Sequence, residues 1–310
     1  MRFLISRLSS LGDVVCTLPA AAALKSTYPD SSVSWVVGKR FADVVRCCSA
    51  VDEVVQSKKS LARSAWPELA EPFDAAFDLQ GLFKSAWPVH LVRSPRKLGY
   101  HWQREGASLF SQKVAPDPTS FHIVDQYVDV VRAFGAEAGR ANFSLVPPAT
   151  ELEEVKARLL ADAVERFVVL NPGAGWATKR WPPSSFAQVA QALGERGITA
   201  ILVGGGSEED LAVANEVAGS ANGKPHIWTG KTTVAELIAL VSLAKAHLGG
   251  DTGSTHIAAA LGIPCVGLYS VTNPRRSCPY GQIDNCLYDQ SSLNNILPER
   301  VLAKLDEVLA

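Results

Sequence analysis

No apolar run in this 310-residue chain approaches the ~20 residues needed to span a bilayer, so any membrane contact is expected from the side. The opening MRFLISRLSS turns polar too early to read as a secretory signal. Lys and Arg nearly balance Asp and Glu, leaving a net charge of −1, and no global charge argues for nucleic acid. The six cysteines (Cys16, Cys47, Cys48, Cys265, Cys278, Cys286) form no C-x-x-C pair and no short disulfide framework. Most lie in apolar runs, which reads as small buried thiols in a reducing cytoplasm. There is no repeat of fixed short period and no low-complexity tail. G-x-G-x-x-G is missing after the first strand, which disfavours a dinucleotide there and an NAD-dependent oxidoreductase. A Walker A loop is missing too.

What is there is alternation. RFLIS reads as a strand, Val14 to Tyr28 as a helix, SVSWVV as a strand and FADVVRCC as a helix. VDEVV, a helix from Ser60 to Leu69 and the strand AAFDL running into QGLFKSAW follow. After Asn142–Val155, with Pro147 and Pro148, the pattern restarts at RFVVL, then TAILVGG, HIW, KAHLGG and CVGLYS with helices between. Such alternation predicts parallel sheets covered by helices on both faces. The length suits two α/β domains of about 150 residues each, here 1–145 and 146–310, with a hinge near 140–155. The last helix, Pro298 to Leu309, is free to pack on either domain.

Ligands of open α/β sheets bind beyond the carboxyl ends of the strands. Four segments stand there. RLSSLGDVVCTLPA puts Asp13 near a helix start, where it either caps the helix or acts as a general base. Ser9, Ser10 and Gly12 leave room beside it for a substrate. NPGAGWATKRWPPSSF follows RFVVL with two glycines, Lys179 and Arg180, which suits phosphate oxygens or a solvated surface loop. VGGGSEEDLA carries Glu208, Glu209 and Asp210, favourable acids for a helix first turn or partners for ribose hydroxyls. HLGGDTGSTHIAAALGIP puts Asp251, Thr252, Gly253, Ser254 and Thr255 at a helix N-terminus, a ready anion site. His256 falls in its first turn, and Asp251 either caps that helix or holds a sugar hydroxyl.

RLSSLGDVVCTLPA, DLQGLFKSA, LNPGAGWATKRWP, GGDTGSTHIAAALGIPCVGLYSVTNP and CPYG occur in an order that resembles glycosyltransferase family 9, the ADP-heptose:lipopolysaccharide heptosyltransferases. GYHWQREGASLFSQK is similar to the type I enzyme of that family. The resemblance implies a GT-B fold, two Rossmann-like doubly wound domains facing across a cleft, with acceptor in the first and nucleotide sugar in the second. It implies an inverting transferase without metal or cofactor, moving heptose from ADP-heptose to the Kdo region of the inner core. Related alternatives are a family member using another nucleotide sugar or acceptor, and a GT-B nucleotide-sugar epimerase. On this resemblance Asp13 is the base that reaches across the cleft. Lys179, Glu208 or Glu209, Asp251, Thr252, Gly253, Ser254 and His256 hold the donor. Ser10, Gly12, Gln80, Gly81, Lys84 and Arg104 face the acceptor. From Lys84 to Lys113 there are six Lys or Arg against one acid, Glu105, which suits a phosphorylated or carboxylated glycolipid or an ordinary solvated face. The expected partners are a nucleotide sugar and a Kdo-lipid A-like glycolipid. The expected place is cytoplasmic, peripheral on the inner membrane.

Overall fold

A computed structural model describes every residue except 174, 176–178 and 223–224. The chain divides into two units, Met1–Val146 and Pro147–Ala310. The first contains β1 (Arg2–Ser6), α1 (Leu11–Thr27), β2 (Ser32–Val37), α2 (Ala42–Arg46) and β3 (Glu53–Gln56). It continues with β4 (Ala75–Asp78), α3 (Phe83–Leu91), β5 (Arg96–Tyr100), β6 (Gln112–Val114) and α4 (Ile123–Arg132). Its six strands pair in the order β3-β2-β1-β4-β5-β6, all parallel.

The second unit contains α5 (Ala149–Ala161), β7 (Phe167–Asn171), α6 (Pro183–Glu195), β8 (Thr199–Leu202), α7 (Glu208–Ser220) and β9 (His226–Ile227). Then come α8 (Val234–Leu243), β10 (Ala246–Gly249), α9 (Gly253–Ala260), β11 (Cys265–Tyr269), α10 (Pro274–Ser277), β12 (Cys286–Tyr288) and α11 (Pro298–Leu309). The order is β12-β11-β10-β7-β8-β9, again parallel. Numbered from its own first strand and read from β9, this is 3-2-1-4-5-6, the same as in the first unit. Each sheet therefore has one switch point, β1/β4 and β7/β10, where successive crossovers leave to opposite sides and open a crevice.

The central strands form because both faces are covered. β1, β4, β7 and β10 carry Phe3–Ser6, Ala75–Asp78, Phe167–Asn171 and Ala246–Gly249 fully or nearly buried, the near-continuous apolar run that a doubly covered parallel strand requires. α1 is buried from Val14 to Leu24, and a helix apolar all round belongs inside. α11 turns Val301 and Leu305, four residues apart, into the second unit's core, against α6, β10 and β11. Trp181 anchors the same core and donates from its indole to the Ile296 carbonyl at 2.8 Å. Five cysteines are buried, Cys286 is half-buried, and all six are free thiols. Among the described residues no helix is long and apolar enough to cross a membrane.

Three expectations need correction. The helix predicted from Ser60 to Leu69 is a loop with two 3-10 turns, Arg63–Ala65 and Pro67–Leu69. Pro67 cannot donate into a continuing helix, and Trp66 instead buries its ring and donates to the Ser60 carbonyl at 3.0 Å. FADVVRCC yields only the five-residue α2 after a 3-10 turn at Lys39–Phe41. The helix expected from Val14 begins earlier, at Leu11.

Candidate functional site

Each unit gathers a polar centre at its own switch point. In the second unit β7 ends at Asn171, whose amide donates to the Ser254 hydroxyl at 2.7 Å and the Thr252 hydroxyl at 3.2 Å. Ser254 also meets His247 Nε2 at 2.9 Å, and Thr255 donates to the Gly250 carbonyl at 2.7 Å. These buried hydroxyls tie the β10–α9 turn to the sheet beneath it. A Cβ on Gly249 would lie 3.0 Å from His247 Cε1 and 3.3 Å from Asn171 Cβ, tighter than most such contacts, so a larger residue would require these neighbours to shift. Burial, and then the nearby His256, lower the His247 imidazole to about 3, which keeps it neutral.

The turn leads into α9 with Thr252 at its N-cap. The N–H groups of a helix's first turn lack intrahelical partners, and the dipole there favours an anion. Asp251 is not the cap. Its carboxylate sits between Lys179 Nζ at 3.0 Å and His256 Nε2 at 3.3 Å. Burial alone would raise the Asp251 carboxyl, but the hydrogen bond and charge of His256, joined by Lys179, hold it at about 2. Beside Lys179 and Asp251 lies a small recess walled by Leu268–Thr272 and Leu293. Lys179, Asp251, Thr252, Gly253, Ser254 and His256 are thus brought to one place.

The two other donor candidates belong to the neighbouring helix start. Ser207 caps α7 by accepting from the Asp210 amide at 3.1 Å, so Glu208, Glu209 and Asp210 form its first turn. Glu209 pairs with Arg180, which lowers its pKa through that hydrogen bond. Glu208 is exposed. The expected phosphate loop Asn171–Phe186 includes residues 174 and 176–178, which lie outside the described residues.

In the first unit Asp13 stands at the third position of α1. Its Oδ2 accepts from the Ser10 amide at 3.2 Å and the Ser10 hydroxyl at 2.8 Å, a capping box. Its Oδ1 meets Arg7 at 2.9 Å, with Arg7 buried and the carboxylate 39% exposed. Arg7 also donates to the Leu79 carbonyl at 2.6 Å and lies over the Tyr127 ring at 5.0 Å. Capping therefore leaves one face of the carboxylate open to solvent. Asp78, at the end of β4, is fully buried and accepts from the Gln80 and Gly81 amides at 3.1 and 3.0 Å. Burial raises its carboxyl against those bonds.

Gln80 closes the turn by accepting from the Leu8 amide at 2.8 Å. Gly81 adopts φ +75°, and a Cβ there would strike the Trp102 carbonyl at 2.4 Å. Its own carbonyl accepts from the Arg104 amide at 2.8 Å. Ser10, Gly12, Gln80, Gly81 and Arg104 therefore stand at the carboxyl ends of β1, β4 and β5, with Lys84 exposed in the first turn of α3. Arg7, Asn171 and His247 were missed as site residues. The available signal was position: Arg7 directly follows a buried first strand, and Asn171 is the last residue of another.

The family model described as glycosyltransferase family 9 (heptosyltransferase) matches residues 62–299. The chain is 27% identical to lipopolysaccharide core heptosyltransferase OpsX of Haemophilus influenzae, over 91% of this chain and 82% of that one. It is 30% identical to lipopolysaccharide heptosyltransferase 1 of Escherichia coli O18:K1:H7, over 91% of this chain and 90% of that one. Among solved structures, the Escherichia coli heptosyltransferase WaaC with ADP superimposes with a TM-score of 0.80 at 25% identity, over 99% of this chain and 100% of that one.

Proposed function

The chain belongs to glycosyltransferase family 9, and on that premise we propose that it transfers heptose from ADP-heptose to the Kdo region of the lipopolysaccharide inner core. That it is a glycosyltransferase of GT-B fold follows from the family and the superposition. The donor, acceptor, stereochemistry and metal independence are the proposal. One observation carries it. Lys179, His256 and the α9 N-terminus converge at the β7/β10 switch point, where cations and unpaired helix N–H groups face one place. The relatives' names supply the heptose, the lipopolysaccharide core and the ADP.

In this reading the donor diphosphate lies on the α9 N-terminus with Lys179 and His256 beside it. Asp13 takes the proton of an acceptor hydroxyl as that oxygen bonds to the anomeric carbon. The bond from that carbon to the diphosphate oxygen breaks on the opposite face, so configuration inverts. The transition state resembles an oxocarbenium ion, and negative charge grows on the leaving ADP. Fixed N–H dipoles and the Lys179 ammonium stabilise that charge without reorganising. Asp251 holds the ammonium and the imidazole in register for it. Gln80, Gly81, Lys84 and Arg104 receive the acceptor. The enzyme works in the cytoplasm, peripheral to the inner membrane, because one substrate is a soluble nucleotide sugar and the other a glycolipid.

Thermal unfolding with ADP, UDP, GDP and ADP-heptose tests the donor. A ligand at 100 times its Kd adds about 2.7 kcal/mol. The expected result is stabilisation by ADP and ADP-heptose alone. Stabilisation by UDP or GDP instead overturns the donor assignment. ADP release that does not depend on acceptor overturns transfer in favour of hydrolysis or epimerisation.

A further inference from the structure

The first unit carries a mixed apolar and basic surface around α3. Leu61, Trp102 and Leu109 are exposed at 54%, 53% and 82%. They belong to three separate segments that meet at one helix. Trp87 of α3 donates from its indole to the Leu61 carbonyl at 3.2 Å. Phe110, next to Leu109, packs its ring on Phe83 at 5.9 Å, Trp87 at 5.9 Å and His90 at 4.8 Å. The Trp102 carbonyl lies over Gly81, two residues before α3 begins. The half-buried aromatic floor thus holds three apolar side chains out toward solvent, where burying them against water-free partners is favourable.

The charges around them are mostly positive. Lys59, Arg63, Lys84 and Arg104 are exposed and make no ion pair among the described residues. Arg104 rests over the Trp102 ring at 5.5 Å. Arg63 lies near Lys97, which donates to the His90 carbonyl at 2.9 Å; burial and then that cation push the Lys97 pKa down. Glu68 is already paired with Lys58 at 2.7 Å, and Glu105 is the one acid beside Arg104. Tryptophan, leucine and unpaired cations together suit the boundary between lipid headgroups and acyl chains. The patch is also continuous with the acceptor-side turn, since Arg104 bonds the Gly81 carbonyl.

We propose that Leu61, Trp102 and Leu109, with the cations around them, dock this protein on an anionic bilayer. Docking there presents the Gly81–Arg104 turn to a glycolipid headgroup emerging from that bilayer. This rests on the reading that the acceptor is a glycolipid, so the test separates the two. The wild-type protein is sedimented with vesicles of phosphatidylcholine alone and with phosphatidylglycerol added, in the absence of acceptor. Turnover is measured in parallel on a lipid-free acceptor sugar.

Sedimentation with the anionic vesicles only, weakened by salt, is expected. Leu61→Glu/Leu109→Glu should lower the partition at least about tenfold, since insertion is lost and two acids are added. Its turnover on the lipid-free acceptor should match wild type. Leu61→Ser/Leu109→Ser, which adds no charge, should fall between the two. Equal sedimentation of wild type and the Glu variant overturns the surface, as does equal wild-type sedimentation with phosphatidylcholine alone. Self-association through the patch without vesicle binding overturns it too. Turnover without vesicle binding removes the surface and leaves the function. Vesicle binding that follows the expected pattern without turnover keeps the surface and removes the function.

Discussion

The two units share a strand order and differ in what they put at the switch point. In the first, a buried cation, Arg7, presents a half-exposed carboxylate, Asp13. In the second, a carboxylate, Asp251, is the hub, and Lys179 and His256 are held on either side of it. The switch point therefore carries negative charge in the first unit and a cation-flanked helix N-terminus in the second. The proposed base for a hydroxyl and cradle for a diphosphate call for that difference. Fold alone does not supply it; the residues after β1, β7 and β10 do.

Breaking the first centre should have the largest effect. Asp13→Ala is expected to lower kcat by roughly 10²–10⁴-fold, the usual worth of a general base, with ADP affinity nearly unchanged. A loss of about 1 kcal/mol in stability with kcat intact would instead mark Asp13 as a cap alone. Next comes the cation beneath it. Arg7 fixes the carboxylate through one ion pair while the Leu79 carbonyl and Tyr127 ring fix Arg7. Arg7→Met should cost about 10²-fold in kcat through misplacement of the base, with acceptor KM little changed, and Arg7→Lys should recover part of it. Equal activity of Arg7→Met and wild type would show that Asp13 needs no such support.

In the second centre the comparable change acts on binding. Lys179→Ala should weaken ADP about tenfold or more, the worth of a charge-assisted hydrogen bond. Calorimetry that finds ADP bound as tightly as before would move the diphosphate elsewhere. Asp13→Ala and Lys179→Ala together sharpen the contrast, because one should strike turnover and the other affinity.

The central strands were legible because buried parallel strands must be apolar runs, and RFLIS, SVSWVV, RFVVL and CVGLY are. The edge strands β6 and β12 are three residues each and partly exposed, so they carry no such signature. Ser60–Leu69 misled because its tryptophan and leucine bury through two 3-10 turns instead of one helical stripe. At the two candidate centres, Asp13 in the first unit and Lys179, Asp251 and His256 in the second were legible because they follow strands within loops of unusual composition. Arg7, Asn171 and His247 were not, because their roles are tertiary. Arg7 finds its carbonyl 72 residues away and Asn171 its hydroxyl 83 residues away. No local pattern records such a pairing.

His247 gives the smallest test of the contrast, since it supports the second centre from within its sheet. It is fully buried in β10 with Nε2 on Ser254. Burial, then the neighbouring His256, hold its pKa at about 3 against an ordinary 6.5. Between those values the unfolded chain binds a proton that the folded one refuses, so stability rises with pH there. The contribution is fully present above the unfolded value and declines as pH falls below it. From about pH 7.5 to about pH 5.5 the loss should be about 1.4 kcal/mol, one pKa unit's worth. Asp251 is silent in this window, because its stabilisation is lost only as pH falls from 3.8 towards about 2. Urea unfolding of wild type and His247→Gln at both pH values isolates the effect. The variant should be less stable overall but lose about 1.4 kcal/mol less on acidification. Parallel losses in the two proteins would mean that His247 is protonated in place, and that the hydroxyl network under α9 tolerates a charge.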